Sequence, residues 1–209
     1  VGHDRVWPLG PWGGQNIWMA DGIRSLGGYH PAKLAGYEPV RRRLFSEQPA
    51  CRLASWLAGR IVVFGDAFTE AEFGALSALG CDVDPEPVHR GSPWLYRNRS
   101  ALPRARLVTS WRPVDSLPEK DALAPFLDGI QGGSIAYGEL VHLDRQPDPA
   151  PRKGEEPLPE PVFVTDGLDE VVLEVDSPRA ALLLLADMNA PGWKVEVDGQ
   201  EKPLLAADL

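Results

Sequence analysis

The sequence predicts an α+β fold: a mixed α/β region over residues 1–143, a Pro-rich linker over 144–161, and a β-sandwich-like all-β region over 162–209, incomplete at its C-terminal end. Three observations predict it. Between Ala50 and Val83, helix-like periodicity surrounds a β-branched run and a helix-capping signal. Asp144 to Pro161 carries Pro147, Pro149, Pro151, Pro157, Pro159 and Pro161 among mostly charged residues, a composition that sustains neither ladder nor helix. After Pro161 the chain reads as short strands divided by turn residues, with no helical period.

Taken in order, a helix opens at His30-Pro31-Ala32-Lys33-Leu34, where proline suits a first turn that needs no N–H partner. Leu34, Tyr37, Val40 or Arg41, and Leu44 give it one apolar stripe. A second helix covers Ala50–Ala58 with Leu53, Trp56 and Leu57 inward and Gly59 as its stop. Arg60-Ile61-Val62-Val63-Phe64 is a buried strand. Thr69 and Glu72 then form a capping box, and Phe68 and Phe73 stand at the spacing of a hydrophobic staple. Leu76 and Leu79 continue the inner face, and Gly80 ends the helix. A strand at Val83 completes a strand–helix–strand unit. Trp94–Arg97 and Ala105–Thr109 are further strands, and a helix spans about Pro118–Leu127.

The last region holds strands at Val162–Thr165, Glu170–Val175, Ala180–Ala186 and Trp193–Val197. Trp193, Val195 and Val197 alternate with polar residues, so one face is expected inside. Asp198-Gly199 is a hairpin turn signal. Ala180–Ala186 does not alternate, as in a strand covered on both faces.

Composition narrows the function. Hydrophobic residues at 44 % and charged residues at 24 % suit a folded globular chain. Its net charge of −9 disfavours nucleic acid. The one basic cluster, Arg41-Arg42-Arg43, reads as a solvated helix face rather than a phosphate site. The longest apolar run, Ala180–Ala186, is far short of the about 20 residues of a membrane span. A start at Val1 without Met, and an end inside a strand-rich region, suggest a piece of a longer protein. Cys51 and Cys81 fit either a disulfide, with its oxidising compartment, or two buried thiols.

Each chemical candidate has a bland rival. Asp82-Val83-Asp84 can share a hard cation, but Pro85 directly after it favours a turn at a strand end. Gly132-Gly133-Ser134-Ile135-Ala136 approaches a nucleophile elbow, yet what precedes it reads as a helix end rather than a strand. His3, His30, His89 and His142 stand too far apart in sequence to show metal-ligand spacing. No glycine-rich phosphate loop occurs, so no cofactor is expected. Of the 7 tryptophans, Trp56 and Trp193 lie on inward stripes, whereas Trp7, Trp12 and Trp18 sit in a loop-like segment that suits the apolar face of a sugar. Asn98-Arg99-Ser100 is either a glycosylation triplet or a surface turn.

Four stretches together carry a resemblance: Asp4-Arg5-Val6-Trp7-Pro8-Leu9-Gly10; Asp21 to Pro31, ending in Gly28-Tyr29-His30-Pro31; Tyr96-Arg97-Asn98 with Ala101-Leu102-Pro103-Arg104-Ala105; and Ala190-Pro191-Gly192-Trp193-Lys194 with Val197-Asp198-Gly199. In this order they resemble the C-terminal extracytoplasmic part of YfhO-type bacterial membrane proteins, over nearly the whole chain. The resemblance implies a polytopic protein similar to glycosyltransferases that use polyprenyl-phosphate sugars, with its chemistry in membrane loops outside this sequence. It places this region on the outer face of the cytoplasmic membrane in an accessory role, without a catalytic site of its own. The candidate glycan contacts are Trp12, Tyr29, His30, Asn98 and Arg104. The partners implied are the membrane portion of the same polypeptide and a cell-envelope glycan or lipid-linked sugar. The family's strand pair after the Asp-Gly turn has no counterpart before Leu209, which predicts an open sheet edge able to pair with another copy. The rival readings are a purely structural docking domain and a stand-alone carbohydrate-binding module. A self-sufficient enzyme would need clustered polar groups, and the sequence shows none.

Overall fold

The computed structural model describes residues 3–27, 37–46, 48–113, 123–135, 137–138, 140–167, 169–189 and 191–207. Helices and strands are mixed, with several small sheets and no barrel, so the fold is α+β. The chain divides into two compact units: 1–104 with 124–135, and 105–123 with 136–209.

The first unit is built on a three-stranded sheet in the order β1-β2-β3. Strand β1 (Arg5–Pro8) runs parallel to β2 (Gly59–Phe64), and β3 (Trp94–Arg97) is antiparallel to β2. Val62 and Val63 are fully buried, as the β-branched run predicts. A 3-10 turn (Gly10–Gly14) and the short helix α1 (Ile17–Ala20) follow β1. Trp18 of α1 joins Val6, Ile61 and Val63 in a buried cluster.

Helix α2 (Glu38–Leu44) carries Pro39 in its first turn and turns Val40 and Leu44 inward. The expected helix start at His30-Pro31 lies outside the described residues. Helix α3 (Cys51–Trp56) is shorter than expected. It stops because Ala58 takes a left-handed φ of 61°, and Gly59, the expected stop, already belongs to β2. A Cβ on Gly59 would lie 2.9 Å from the Ala54 carbonyl oxygen, so that position serves close helix–strand packing.

Helix α4 (Glu70–Ala78) begins on the predicted capping box: Thr69 Oγ1 accepts from Glu72 N at 3.3 Å, and the Glu72 carboxylate accepts from Thr69 N at 2.7 Å. The staple closes with Phe68 and Phe73 ring centres 5.3 Å apart. The expected strand at Val83 is a single bridge to Asn98, because Pro85 cuts the ladder short. Helix α5 (Leu123–Gly132) runs further toward the C-terminus than expected and buries Phe126, Leu127 and Ile130. Helices α4 and α5 end at Gly80 (φ +89°) and Gly133 (φ +76°), and a Cβ at either would lie 2.8 Å from the Arg52 guanidinium. Arg52 thus sits beside two helix C-termini, where a cation is favoured. Cys51 and Cys81 are joined, closing a 30-residue separation and tying α3 to the end of α4.

The second unit is made of strand pairs. Strand β4 (Ala105–Val108) is antiparallel to β9 (Leu182–Leu185), and β5 (Ser110–Pro113) is parallel to β6 (Leu140–Leu143). Strands β7 (Val162–Asp166) and β8 (Val171–Glu174) form one hairpin, and β10 (Val195–Val197) and β11 (Gln200–Lys202) another. The second hairpin turns at Asp198 (φ 51°) and Gly199 (φ 73°), the doubly left-handed geometry that the Asp-Gly pair predicts. A strand therefore does follow that turn. No sheet of this unit exceeds two strands among the described residues, so the observed pairing does not amount to the predicted sandwich.

Several expectations need correction. Leu182 and Leu184 pack on the buried cluster of Val108, Val141 and Leu143, but Leu183 is 45 % exposed, so β9 is covered on one face only. Trp193 and Val197 are exposed, so the alternation at Trp193–Val197 buries no face. The boundary expected at residue 143 falls instead at Arg104/Ala105, because β4 finds its partner in β9. Nor is 144–161 a free connector: Arg152 N donates to Ala180 O at 2.8 Å, and the Arg179 guanidinium donates to Glu156 O at 2.6 Å.

Candidate functional site

Several polar side chains meet at the end of the β2–β3 ladder. Asn98, next after β3, donates its backbone N–H to Arg60 O at 2.7 Å. Its Nδ2 donates to Ser55 Oγ at 3.0 Å and Gly59 O at 3.1 Å, and its Oδ1 accepts from Ser100 N at 3.2 Å. The side chain is 1 % exposed. Asn98 is thus a turn-forming structural residue: the nitrogen that would carry or contact a sugar is occupied inside.

Around it, Arg60, Arg97, Asn98 and Arg99 line a cavity of about 230 Å³. Arg60 pairs with Asp4 at 3.4 Å and Arg99 with Asp84 at 2.6 Å. Arg97 makes no direct ion pair or hydrogen bond through its guanidinium among the described residues, but its charge acts on the same Asp84 carboxylate. Asp84 also accepts from Glu86 N at 3.1 Å. Its carboxyl is held below the ordinary range, first by the hydrogen bond from Arg99 and then by that from Glu86. A carboxylate engaged in this way serves as a counter-ion to Arg99. No group of three or more His, Cys, Asp or Glu among the described residues is placed to hold a metal, and Asp82 is exposed.

Of the candidate glycan residues, Trp12, Asn98 and Arg104 are described. Trp12, in the 3-10 turn, is half-buried with its ring centre 6.1 Å from that of Trp18. Trp7 and Trp18, expected beside it in a groove, are buried instead, Trp7 completely, because β1 is a sheet strand rather than a loop. Arg104 is 5 % exposed, which suits the structural reading of the Leu102-Pro103-Arg104 segment. Tyr29 and His30 lie outside the described residues. The Tyr37 hydroxyl donates to Leu26 O at 2.9 Å, and desolvation pushes its pKa up to about 12 against the opposing pull of Arg5 and Arg41.

The remaining motifs resolve into local structure. Ser134 N donates to Gly129 O at 2.9 Å and Gly133 N to Ile130 O at 3.1 Å, the paired bonds of a helix C-cap. Ser134 follows a helix, and its hydroxyl donates to Gly129 O at 3.2 Å, so the elbow geometry is absent there. Arg41 and Arg42 pair with Glu38, and Arg43 with Asp128 at 2.9 Å, so every arginine of the basic helix face has a carboxylate partner.

Sequence reasoning missed two features. One is the arginine cavity, whose only signal was Arg97-x-Arg99; Arg60 joins it through strand pairing. The other is a ring cluster of Phe64, Phe68, Phe73, Trp94 and Tyr96, with centroid distances from 4.6 to 6.4 Å. Tyr96 Oη accepts from Phe68 N at 2.9 Å, which fixes the rings beneath the start of α4. No helix among the described residues is long and apolar enough to cross a membrane. No known protein family, curated protein or solved structure matches the chain.

Proposed function

We propose that this chain is a non-catalytic docking domain on the outer face of the bacterial cytoplasmic membrane, part of a polytopic protein similar to the polyprenyl-phosphate-dependent glycosyltransferases. One observation carries the docking role. Eight of the ten large exposed hydrophobics among the described residues fall between Val162 and Leu204: Val162, Val164, Val172, Leu183, Met188, Trp193, Val197 and Leu204. We read this stretch as contributing to a contact surface, since exposed apolar side chains gain by being covered. The resemblance supplies the occupant, the membrane portion of the same polypeptide. The Cys51–Cys81 disulfide supports an oxidising compartment. Photo-cross-linking from Val164 and Leu183 in native membranes is expected to capture that membrane portion. Equal capture from exposed Glu201, or a gene with no apolar spans upstream of Val1, overturns the reading.

A second reading, glycan or lipid-linked sugar recognition, is favoured by the half-exposed Trp94 and Phe64 at the ring cluster. A glycan array with binding lost on Trp94→Ala supports it; an array without hits removes it. Pairing between copies through the hairpin edges is a third outcome, and light scattering of a strict monomer excludes it.

A further inference from the structure

We propose that the cavity formed by Arg60, Arg97 and Arg99 is a binding site for a phosphoryl group. The inference does not rest on the docking role above. It starts from a charge imbalance. The chain carries a net −9, yet this one concavity is lined by three arginines, and the ion pairs of two of them reach only two carboxylates, Asp4 and Asp84. Asp4 is paired with Arg60 and Asp84 with Arg99, and the exposed Arg97 adds only a weaker charge attraction to the same Asp84, so three cations stand against two anions. An excess cation held in a concave wall attracts a ligand anion more strongly than one on a convex surface.

The wall is also held in place. Asn98 N and Arg99 N donate to Arg60 O and Asp82 O, both at 2.7 Å, and the buried Asn98 side chain pins the backbone between the arginines to Ser55 and Gly59. The three side chains therefore project from a backbone that requires no reordering on binding, which lowers the cost of association. A phosphoryl group fits this arrangement better than a carboxylate. It presents three or more acceptor oxygens, enough to bridge Arg97 and a neighbouring arginine while Asp4 and Asp84 keep theirs, and the guanidinium fork matches its geometry.

Calorimetric titration of inorganic pyrophosphate into the 209-residue chain tests this. Saturable binding that weakens with added salt is expected. Arg97→Gln should weaken it about tenfold, the loss of one charge-assisted contact. Arg97→Lys should recover part of that loss. Arg42→Gln, an equal charge change on the helix face, should leave affinity within about twofold. A parallel arm measures sedimentation with vesicles containing phosphatidic acid against vesicles of phosphatidylcholine alone. Arg97-dependent binding to the former without pyrophosphate binding identifies a lipid headgroup as the source. Arg97-dependent pyrophosphate binding identifies a soluble phosphate. Absence of binding in both arms overturns the proposal, as does acetate binding as tightly as pyrophosphate, or equal weakening by Arg97→Gln and Arg42→Gln.

Discussion

Trp7 in β1 has no exposed surface, whereas Trp193, just before β10, is 37 % exposed. The contrast extends to the units that contain them. The first unit closes a three-stranded sheet under helices, and a disulfide links α3 to the residue just past α4. Large side chains there have cover on both sides of the sheet. The second unit pairs its strands two by two, and a two-stranded ribbon leaves one face and both edges open. An apolar strand thus means burial in one place and exposure in the other. Alternation states that a face is apolar; only a neighbouring layer makes it an interior.

The largest effects should fall in the first unit. Trp7→Ala removes a fully buried ring and is expected to cost about 3–5 kcal/mol in urea unfolding. A loss under 1 kcal/mol would break the contrast between the units. Cys51→Ser with Cys81→Ser, or reduction with dithiothreitol, opens a loop with a separation of 30 residues and should cost about 3–4 kcal/mol by the chain-entropy argument. Unchanged melting under reductant would show that the staple contributes little.

A smaller effect sharpens the comparison inside the first unit. Thr69→Ala deletes one half of the capping box and should cost about 1 kcal/mol. The other half gives a pH signature. The Glu72 carboxyl is held below its ordinary 4.5, chiefly by the backbone N–H of Thr69 and then by its hydroxyl. A carboxylate lowered on folding contributes stability above its unfolded pKa and loses it as pH falls through the folded one. The stability gap between wild type and Glu72→Gln should therefore be widest near neutrality and close in acid. A gap independent of pH would remove the carboxylate from the cap.

The smallest change is expected in the second unit. Trp193→Ser should alter stability by no more than about 0.5 kcal/mol, because the ring is not packed as Trp7 is. It should instead reduce self-association, read by light scattering. A large destabilisation would mean that Trp193 is packed in solution.

Much of the first unit was legible in the chain. The capping box at Thr69 and Glu72, the staple of Phe68 and Phe73, the strand at Ile61–Phe64, and the left-handed stop at Gly80 all rest on residues within a few positions of each other. The Asp198-Gly199 turn was legible for the same reason. The candidate site was not. Asn98 and Arg104 read as surface polar residues, yet both are buried, Asn98 because Ser55 and Gly59, some forty residues upstream, supply its partners.

What the sequence determined by itself is the α+β class, its helix caps and its turns, because short-range sterics and local hydrogen bonds decide those. Tertiary structure alone decided three things: that Cys51 meets Cys81, that β4 crosses to β9, and that Arg60 joins Arg97 and Arg99 around one cavity. Each depends on which distant segment supplies the partner, and no local period in a chain encodes that choice.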